Sequence, residues 1–154
     1  MPKPCTGANL ADLEERIQQL EDVEAIRNLI ASYGPAADRG DADAVSAIWW
    51  EDGEYDVGGF GVSKGREAIA GLITGKFHQQ LMVEGCAHVL SPHEISIVGN
   101  HADATGYSTV FRKVEGAFEA WRVSFNQWTF EKRGKEWRTI LRVNRPVEGE
   151  KNDS

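Results

Sequence analysis

The side chains best suited to chemistry are an acid and a histidine that lie fifty positions apart. Asp38 ends a predicted helix, and His88 lies in the segment 85–90, which has the composition of a strand. A neutral imidazole is the natural general base near pH 7, and a carboxylate on its other nitrogen fixes the tautomer and stabilises the imidazolium. Brought together by the fold, these two residues would form a dyad able to remove a carbon-bound proton.

Two further residues could complete such a site. Tyr33 can donate a hydrogen bond to a leaving group, and an arginine on the last predicted strand can stabilise developing oxyanion charge. Arg142 is the better candidate and Arg145 the alternative, because strand alternation places the two on opposite faces. Structural roles remain possible for all three residues. Asp38 could be only a turn residue, His88 a strand histidine bonded to the backbone, and Tyr33 a core side chain.

Three more residues are candidates for the wall of a substrate cavity. Trp50 and Tyr55 are expected to belong to the core or to the cavity wall. Cys86 shares strand parity with His88 and could line the same cavity. It is not expected to act as a nucleophile, since nothing nearby in the sequence would lower its pKa.

The composition narrows the class of protein. A chain of 154 residues predicts one domain, and its net charge of −7 argues against non-specific nucleic-acid binding. With two cysteines and no apolar stretch long enough for a signal peptide or a membrane span, we expect a cytoplasmic location. The four histidines lack zinc-ligand spacing, and no phosphate loop or dinucleotide fingerprint is present. We therefore expect neither a metal nor a cofactor.

The first half of the chain is predicted to be mainly helical. One apolar stripe runs through Leu10, Leu13, Ile17 and Leu20, and a second with a shifted phase continues from Val23 to Tyr33. The first stripe would pack on a partner subunit or on the chain's own sheet. Gly34-Pro35 is expected to interrupt the helix. Asp41 is expected to cap a short helix over 42–49. A turn is predicted at 51–53, a strand at 54–57, and a third helix from Gly65 to about 72.

The second half has the pattern of a sheet. Alternating or β-rich segments cover 87–90, 94–98, 102–113, 117–132 and 136–147, separated by turn residues. Helices followed by strands predict an α+β domain with an antiparallel sheet. We expect a single domain over 10–147 and flexible tails at 1–9 and 148–154.

Several segments together resemble the SnoaL-like branch of the NTF2-like (cystatin-like) superfamily. They are 22–29, Tyr33, 38–41, 48–53, 65–69, His88, 97–104 and 134–142. The resemblance implies a cone in which a strongly curved, mainly antiparallel sheet encloses helices and a cavity. It also places Ser124 and Asn126 on the inner face of their strand.

Within that superfamily the chain is most similar to lyases. The hexachlorocyclohexane dehydrochlorinases use an Asp–His dyad, but they carry a lysine where this chain has Tyr33. A tyrosine at this spacing is similar to the bile-acid dehydratases, and scytalone dehydratases also combine it with an Asp–His pair. The resemblance implies a cofactor-independent dehydratase for a hydrophobic cyclic molecule, using His88, Asp38, Tyr33 and Arg142, in a homotrimer or homodimer.

Other functions fit the same residues. An isomerase or polyketide-cyclase-like enzyme would use the dyad without a leaving group, and a dehydrohalogenase would expel halide. A non-catalytic binding or subunit protein, resembling the β subunits of ring-hydroxylating dioxygenases, would need no dyad at all. In each case the expected partner is a hydrophobic small molecule or another protein chain, and neither nucleic acid nor a membrane is expected.

Overall fold

A computed structural model describes residue 7 and residues 9–148 of the chain. The predicted tails, 1–9 and 148–154, lie almost entirely outside the described residues. The elements in chain order are α1 (Leu10–Asp38), α2 (Ala42–Ser46), β1 (Trp49–Val57), β2 (Gly61–Lys64), α3 (Gly65–Thr74), α4 (Lys76–Glu84), β3 (Cys86–Leu90), β4 (Glu94–Val98), β5 (His101–Val114), β6 (Ala117–Arg133) and β7 (Glu136–Pro146).

One mixed, curved and unclosed sheet contains all seven strands. Their order is β2-β1-β7-β6-β5-β3, and β4 pairs with the first part of β5. Every pairing is antiparallel except that of β1 with β7. Alternation of buried with more exposed residues along much of β5, β6 and β7 defines the inner face, with a change of phase in β7 between Thr139 and Arg142. The α+β, NTF2-like architecture is therefore confirmed.

The long helix α1 does not break where the sequence predicts it. It begins with a capping box between Asn9 and Asp12 and runs through Pro35 to Asp38. A proline removes one helical hydrogen bond. The turn that follows is nevertheless held in place, because Ala36 and Ala37 are fully packed into the core. This continuation carries Asp38 to the sheet.

The two apolar stripes of α1 have different surroundings. Ile26, Ile30 and Tyr33 of the second stripe are buried. The first stripe lies outside the core, and its members are all exposed: Leu10, Leu13, Ile17 and Leu20. The prediction that this stripe packs on the chain's own sheet is therefore wrong.

Three local predictions also differ from the structure. Helix α4 and the short strand β2 have no counterpart in the predicted elements. The expected turn at 51–53 lies inside β1, where the pairing with β7 shifts register between Trp49 and Glu54. Helix α2 is capped by Asp41 as predicted but ends earlier, at Ser46.

The core lies between the helices and the inner face of the sheet. Its largest fully buried apolar side chains come from both layers: Trp49, Trp128, Phe130, Ile26, Ile69 and Ile73. Among the described residues, no helix combines the length and the apolar character needed to cross a bilayer.

Candidate active site

The fold brings Asp38 and His88 into direct contact. Asp38 Oδ1 lies 2.7 Å from His88 Nδ1, and the two side chains are largely buried. The backbone amide of His88 also donates to both carboxylate oxygens, at 3.1 and 3.0 Å. A carboxylate can only accept hydrogen bonds, so the Nδ1 atom carries a proton, and in the neutral imidazole Nε2 keeps its lone pair. This is the arrangement that a supported general base requires.

The contact depends on how α1 meets the edge of the sheet. Strand β3 pairs only with β5, so one side of its backbone has no neighbouring strand. Asp38, at the end of α1, satisfies the amide of His88 on that side. Gly34, one helical turn earlier, allows the close approach, because a Cβ there would overlap the carbonyl group of His88.

An arginine surrounded by aromatic rings lies beside the dyad. The Arg142 guanidinium is 4.2 Å from the ring centroid of Tyr33, 4.6 Å from that of Tyr55 and 4.2 Å from that of Trp128. Arg142 is only 1% exposed, and the Tyr33 ring also packs edge-on against His88 at 6.2 Å. Stacking on ring faces stabilises the cation where water is excluded.

Neutral groups hold this arginine in place. Asn126 Oδ1 accepts from Arg142 Nε and Nη2 at 3.0 and 2.8 Å, and also from the side chain of Asn144 at 3.0 Å. Asn126 in turn donates to Ser108 at 2.8 Å. Within the described residues, Arg142 forms no ion pair, and its Nη1 is buried without a hydrogen-bond partner. A positive charge and a free donor therefore remain for a ligand.

A pocket joins these groups. Its internal volume is about 110 Å³, and Tyr33, Tyr55, His88 and Arg142 lie on its wall. Most of the remaining lining is apolar: Val57, Phe60, Leu72, Ile73, Phe77, Leu81, Leu90, Val110 and Trp121. An apolar pocket with few convergent polar groups is the usual form of a small-molecule site.

The last strand separates the two candidate arginines as alternation predicts. Arg142 points into the protein, whereas Arg145 lies outside and pairs with Asp56 at 2.6 Å. Ser124 and Asn126 lie on the inner face and are buried. They do not line the pocket itself, and Asn126 positions Arg142 from behind.

Trp50 and Cys86 do not lie on the wall of the pocket. The Trp50 indole donates to the carbonyl of Glu131 at 2.9 Å, and the guanidinium groups of Arg133 and Arg138 lie over its ring. Its prediction as a cavity residue is wrong, because Trp49 and Tyr55, and not Trp50, are the buried, inward-facing aromatic residues of β1. Cys86 instead lies 3.7 Å from Asp38 Oδ1, beside the dyad.

The sequence pattern did not indicate two titratable residues of the pocket, His78 and Arg122. His78, on α4, donates from Nε2 to the carbonyl of Ala37 at 2.7 Å, and its ring lies 5.5 Å from that of His88. Arg122, on β6, also lines the pocket. No sequence signal identified α4, but Arg122 shares strand parity with Ser124 and could have been found by alternation.

The surroundings shift the proton affinities of three of these groups. Burial lowers the pKa of His78, which favours its neutral form. Burial raises the pKa of Tyr55, so that its phenol stays protonated. Burial, together with the nearby charge of Asp38, raises the pKa of Cys86 to about 11.

Asp38, Cys86 and His88 place possible metal ligands within 4.8 Å of one another. The hydrogen-bond pattern does not fit a metal centre, however. The imidazole Nδ1–H, the backbone N–H and the thiol all donate toward the same carboxylate. A metal ligand needs a free lone pair and a deprotonated thiol. The arrangement is that of an oriented imidazole base.

The fold and the site define a small α+β protein with a buried Asp–His dyad on an apolar pocket. The profile of the SnoaL-like domain matches residues 18–143. The chain therefore belongs to the SnoaL-like family, within the NTF2-like superfamily of cystatin-like fold.

Solved structures support this assignment. An NTF2-like protein with a cystatin-like fold from Novosphingobium aromaticivorans is 49% identical, with a TM-score of 0.91 over 94% of each chain. A hexachlorocyclohexane dehydrochlorinase from Novosphingobium barchaimii is 20% identical, with a TM-score of 0.75 over 86% of this chain and 91% of its own. At that identity the likeness concerns the fold alone, although it shows that the fold serves small-molecule enzymes. No curated protein matches the chain.

Proposed function

We propose that this protein is a cofactor-independent lyase that removes water from a hydrophobic cyclic small molecule. The observation that carries the proposal is the 2.7 Å contact between Asp38 Oδ1 and His88 Nδ1 at the wall of an apolar pocket. A separation beyond hydrogen-bond reach would instead have favoured a non-catalytic binding protein.

In the proposed reaction, His88 Nε2 takes a proton from carbon. The electron pair of that C–H bond forms the new double bond, and the C–O bond to the leaving hydroxyl breaks. Tyr33 gives its phenolic proton to the departing hydroxide, so that water leaves. The imidazolium proton then restores the phenol, and no oxidant or reductant is needed.

Each of the remaining groups has a separate role. Asp38 holds the imidazole and stabilises its protonated form. Arg142, only 1% exposed and lacking a carboxylate partner among the described residues, stabilises the oxyanion that develops if the acidic C–H bond lies beside a carbonyl group. Tyr33 favours loss of water over loss of halide, because its phenol can protonate a departing hydroxide.

The test measures elimination and proton removal separately. Cyclic β-hydroxy carbonyl compounds are incubated in D₂O, with loss of water and deuterium uptake both followed by mass spectrometry. We expect His88→Ala and Asp38→Asn to lower elimination by about 10²- to 10⁴-fold while the fold survives. His101→Ala, which removes an exposed histidine, is the matched control. Near-full activity in either dyad variant would refute the mechanism.

An isomerase or cyclase using the same dyad is the second candidate, since proton removal by His88 is common to both. Deuterium uptake without loss of water would identify it, and release of chloride from a halogenated substrate would identify a dehydrohalogenase. In all these cases the dyad variants lose activity, and only the product differs.

We also propose that the protein is a homo-oligomer. The outer face of the sheet exposes several large apolar side chains, among them Tyr107, Val123 and Phe125, and the stripe from Leu10 to Leu20 is uncovered as well. Patches of this kind commonly mark interfaces. Sedimentation should show a dimer or trimer that Val123→Glu with Phe125→Glu converts to monomer. A monomeric wild-type protein at micromolar concentration would contradict the proposal.

A further inference from the structure

A second arginine lines the pocket and has no part in the proposed elimination. Arg122 lies on β6 on the same strand face as Ser124 and Asn126, two and four residues away. Within the described chain it forms no ion pair with a carboxylate. Its charge is therefore as uncompensated as that of Arg142.

Neutral acceptors fix the orientation of Arg122. Its Nη2 donates to the carbonyl of Gly58 at 2.6 Å and to Asn144 Oδ1 at 2.8 Å. The guanidinium also lies 5.3 Å from the ring centroid of Phe60. Asn144 bonds in turn to Asn126, the acceptor of Arg142. Amides thus position two guanidinium groups without cancelling the charge of either.

Hydrogen-bonding capacity remains on both arginines. The two protein bonds of Arg122 use only Nη2, so Nε and Nη1 have no partner among the described residues. Arg142 Nη1 is buried and also has none. A buried donor without a partner, such as Arg142 Nη1, costs free energy unless a ligand supplies the acceptor. The donors of Arg122 are less deeply buried and are free to bind an acceptor in the pocket.

The balance of charge indicates the sign of the ligand. Arg122 and Arg142 contribute two positive charges to the pocket wall, against the single negative charge of Asp38, which is already bonded to His88. The whole chain has a net charge of −7, so its overall field does not attract anions. The excess of positive charge is local to the pocket, as expected for recognition of one anionic group.

We propose that Arg122 is the binding site for a carboxylate carried by the substrate, which would make that substrate an apolar cyclic carboxylic acid. A guanidinium presents paired donors that match the two oxygens of a carboxylate. Arg142 acts at the reacting carbons, and Arg122, two hydrogen-bonded amides away, holds the acid group of the same substrate. The identity of the ligand as a substrate rests on the proposed function, but its binding does not.

The test compares two probes of nearly the same size and shape, the anion 2-naphthoate and the neutral 2-naphthamide. Isothermal titration calorimetry gives the dissociation constant of each. We expect wild-type protein to bind the acid about 10- to 100-fold more tightly than the amide. Arg122→Gln should reduce this ratio to near one, and Arg122→Lys should retain part of it. Arg145→Gln, which removes one positive charge from the outer side, should leave the ratio unchanged.

Catalysis and recognition are separated by His88→Gln, which should abolish elimination and keep the preference for the acid. Wild-type protein that binds both probes equally, or neither, contradicts the carboxylate site. An unchanged preference in folded Arg122→Gln protein also contradicts it. If the preference is absent but the dyad variants still lose elimination, the carboxylate site fails while the proposed function stands.

Discussion

The carbonyl group of His88 lies directly against Gly34, with no room for a side chain between them. Gly34 and Asp38 are one turn apart on α1 and so face the same way. The glycine lets the helix approach β3, and the aspartate then reaches the imidazole. The geometry of the dyad is therefore set by a residue that has no functional group.

Gly34→Ala should separate the helix from the strand. Because the added methyl group overlaps backbone atoms of His88, we expect a loss of about 1–3 kcal/mol in the free energy of unfolding. Elimination should fall as well, since the dyad is displaced. Gly71→Ala is the control: Gly71 is exposed on α3 with no neighbour near its Cβ position, and alanine there should be neutral or stabilising. Equal stabilities of the two variants would contradict the close approach.

Tyr33→Phe should affect the leaving group more than proton removal. The dyad does not depend on the phenol, so deuterium uptake into the substrate should continue. We expect the rate of water loss to fall by about 10²- to 10³-fold, the usual effect of removing one well-placed donor. Tyr107→Phe, on the outer face of the sheet, should change neither rate. Parallel loss of exchange and elimination would show that Tyr33 supports the site only by packing.

The thiol of Cys86 should be unreactive at neutral pH. With its pKa raised to about 11, roughly one thiol in a thousand is ionised at pH 8. Alkylation by iodoacetamide, followed on the Cys86 peptide by mass spectrometry, should accelerate only toward pH 11. Asp38→Asn removes a negative charge and should shift that profile to lower pH. A wild-type profile centred near pH 8.5 would contradict the assigned surroundings.

Asp22 should make stability depend on pH. Burial alone would raise its pKa, but hydrogen bonds from Lys132, Trp137 and Gln18 outweigh burial and hold the pKa below 3.8. The folded state therefore releases this proton more readily than the unfolded state. The resulting stabilisation is present above about pH 4 and is lost as the pH falls through the folded pKa.

Asp22→Asn should accordingly lower the free energy of unfolding at pH 7 by about 1–3 kcal/mol, because the bonds from Lys132 and Trp137 lose a charged acceptor. The difference from wild type should shrink below pH 4. Urea denaturation at several pH values measures it, with Glu21→Gln on the exposed side of the same helix as control. If the free energies of unfolding of wild type and Asp22→Asn differ by the same amount at every pH, the ion pair of Asp22 with Lys132 is contradicted.

Period-two alternation was the most informative part of the sequence. It identified β5, β6 and β7 and set Arg142 and Arg145 on opposite faces, while the family resemblance placed Ser124 and Asn126 on the inner face. Alternation extended from Ser124 by two residues would have reached Arg122. The pairing of Asp38 with His88 followed from chemistry and from family spacing, whereas the contact itself depends on a helix meeting a strand fifty residues later.

Other features depend on tertiary packing that a local pattern does not contain. Pro35 predicts a helix break, but the buried turn after it keeps α1 continuous. Trp50 stands next to Trp49 in β1, and only the packed structure shows which of the two indoles faces the core. His78 lies on α4, whose polar sequence gave little sign of a helix that covers a pocket. In each case the surrounding fold decides the outcome.

The bond from the His88 amide to Asp38 also satisfies a polar group on the open edge of β3. An uncovered strand edge is a template for pairing with another molecule. Here the carboxylate that orients the base also occupies the open side of β3. Replacing Asp38 with alanine would therefore remove the partner of the His88 imidazole and, at the same time, leave the backbone amide of this strand edge without its acceptor.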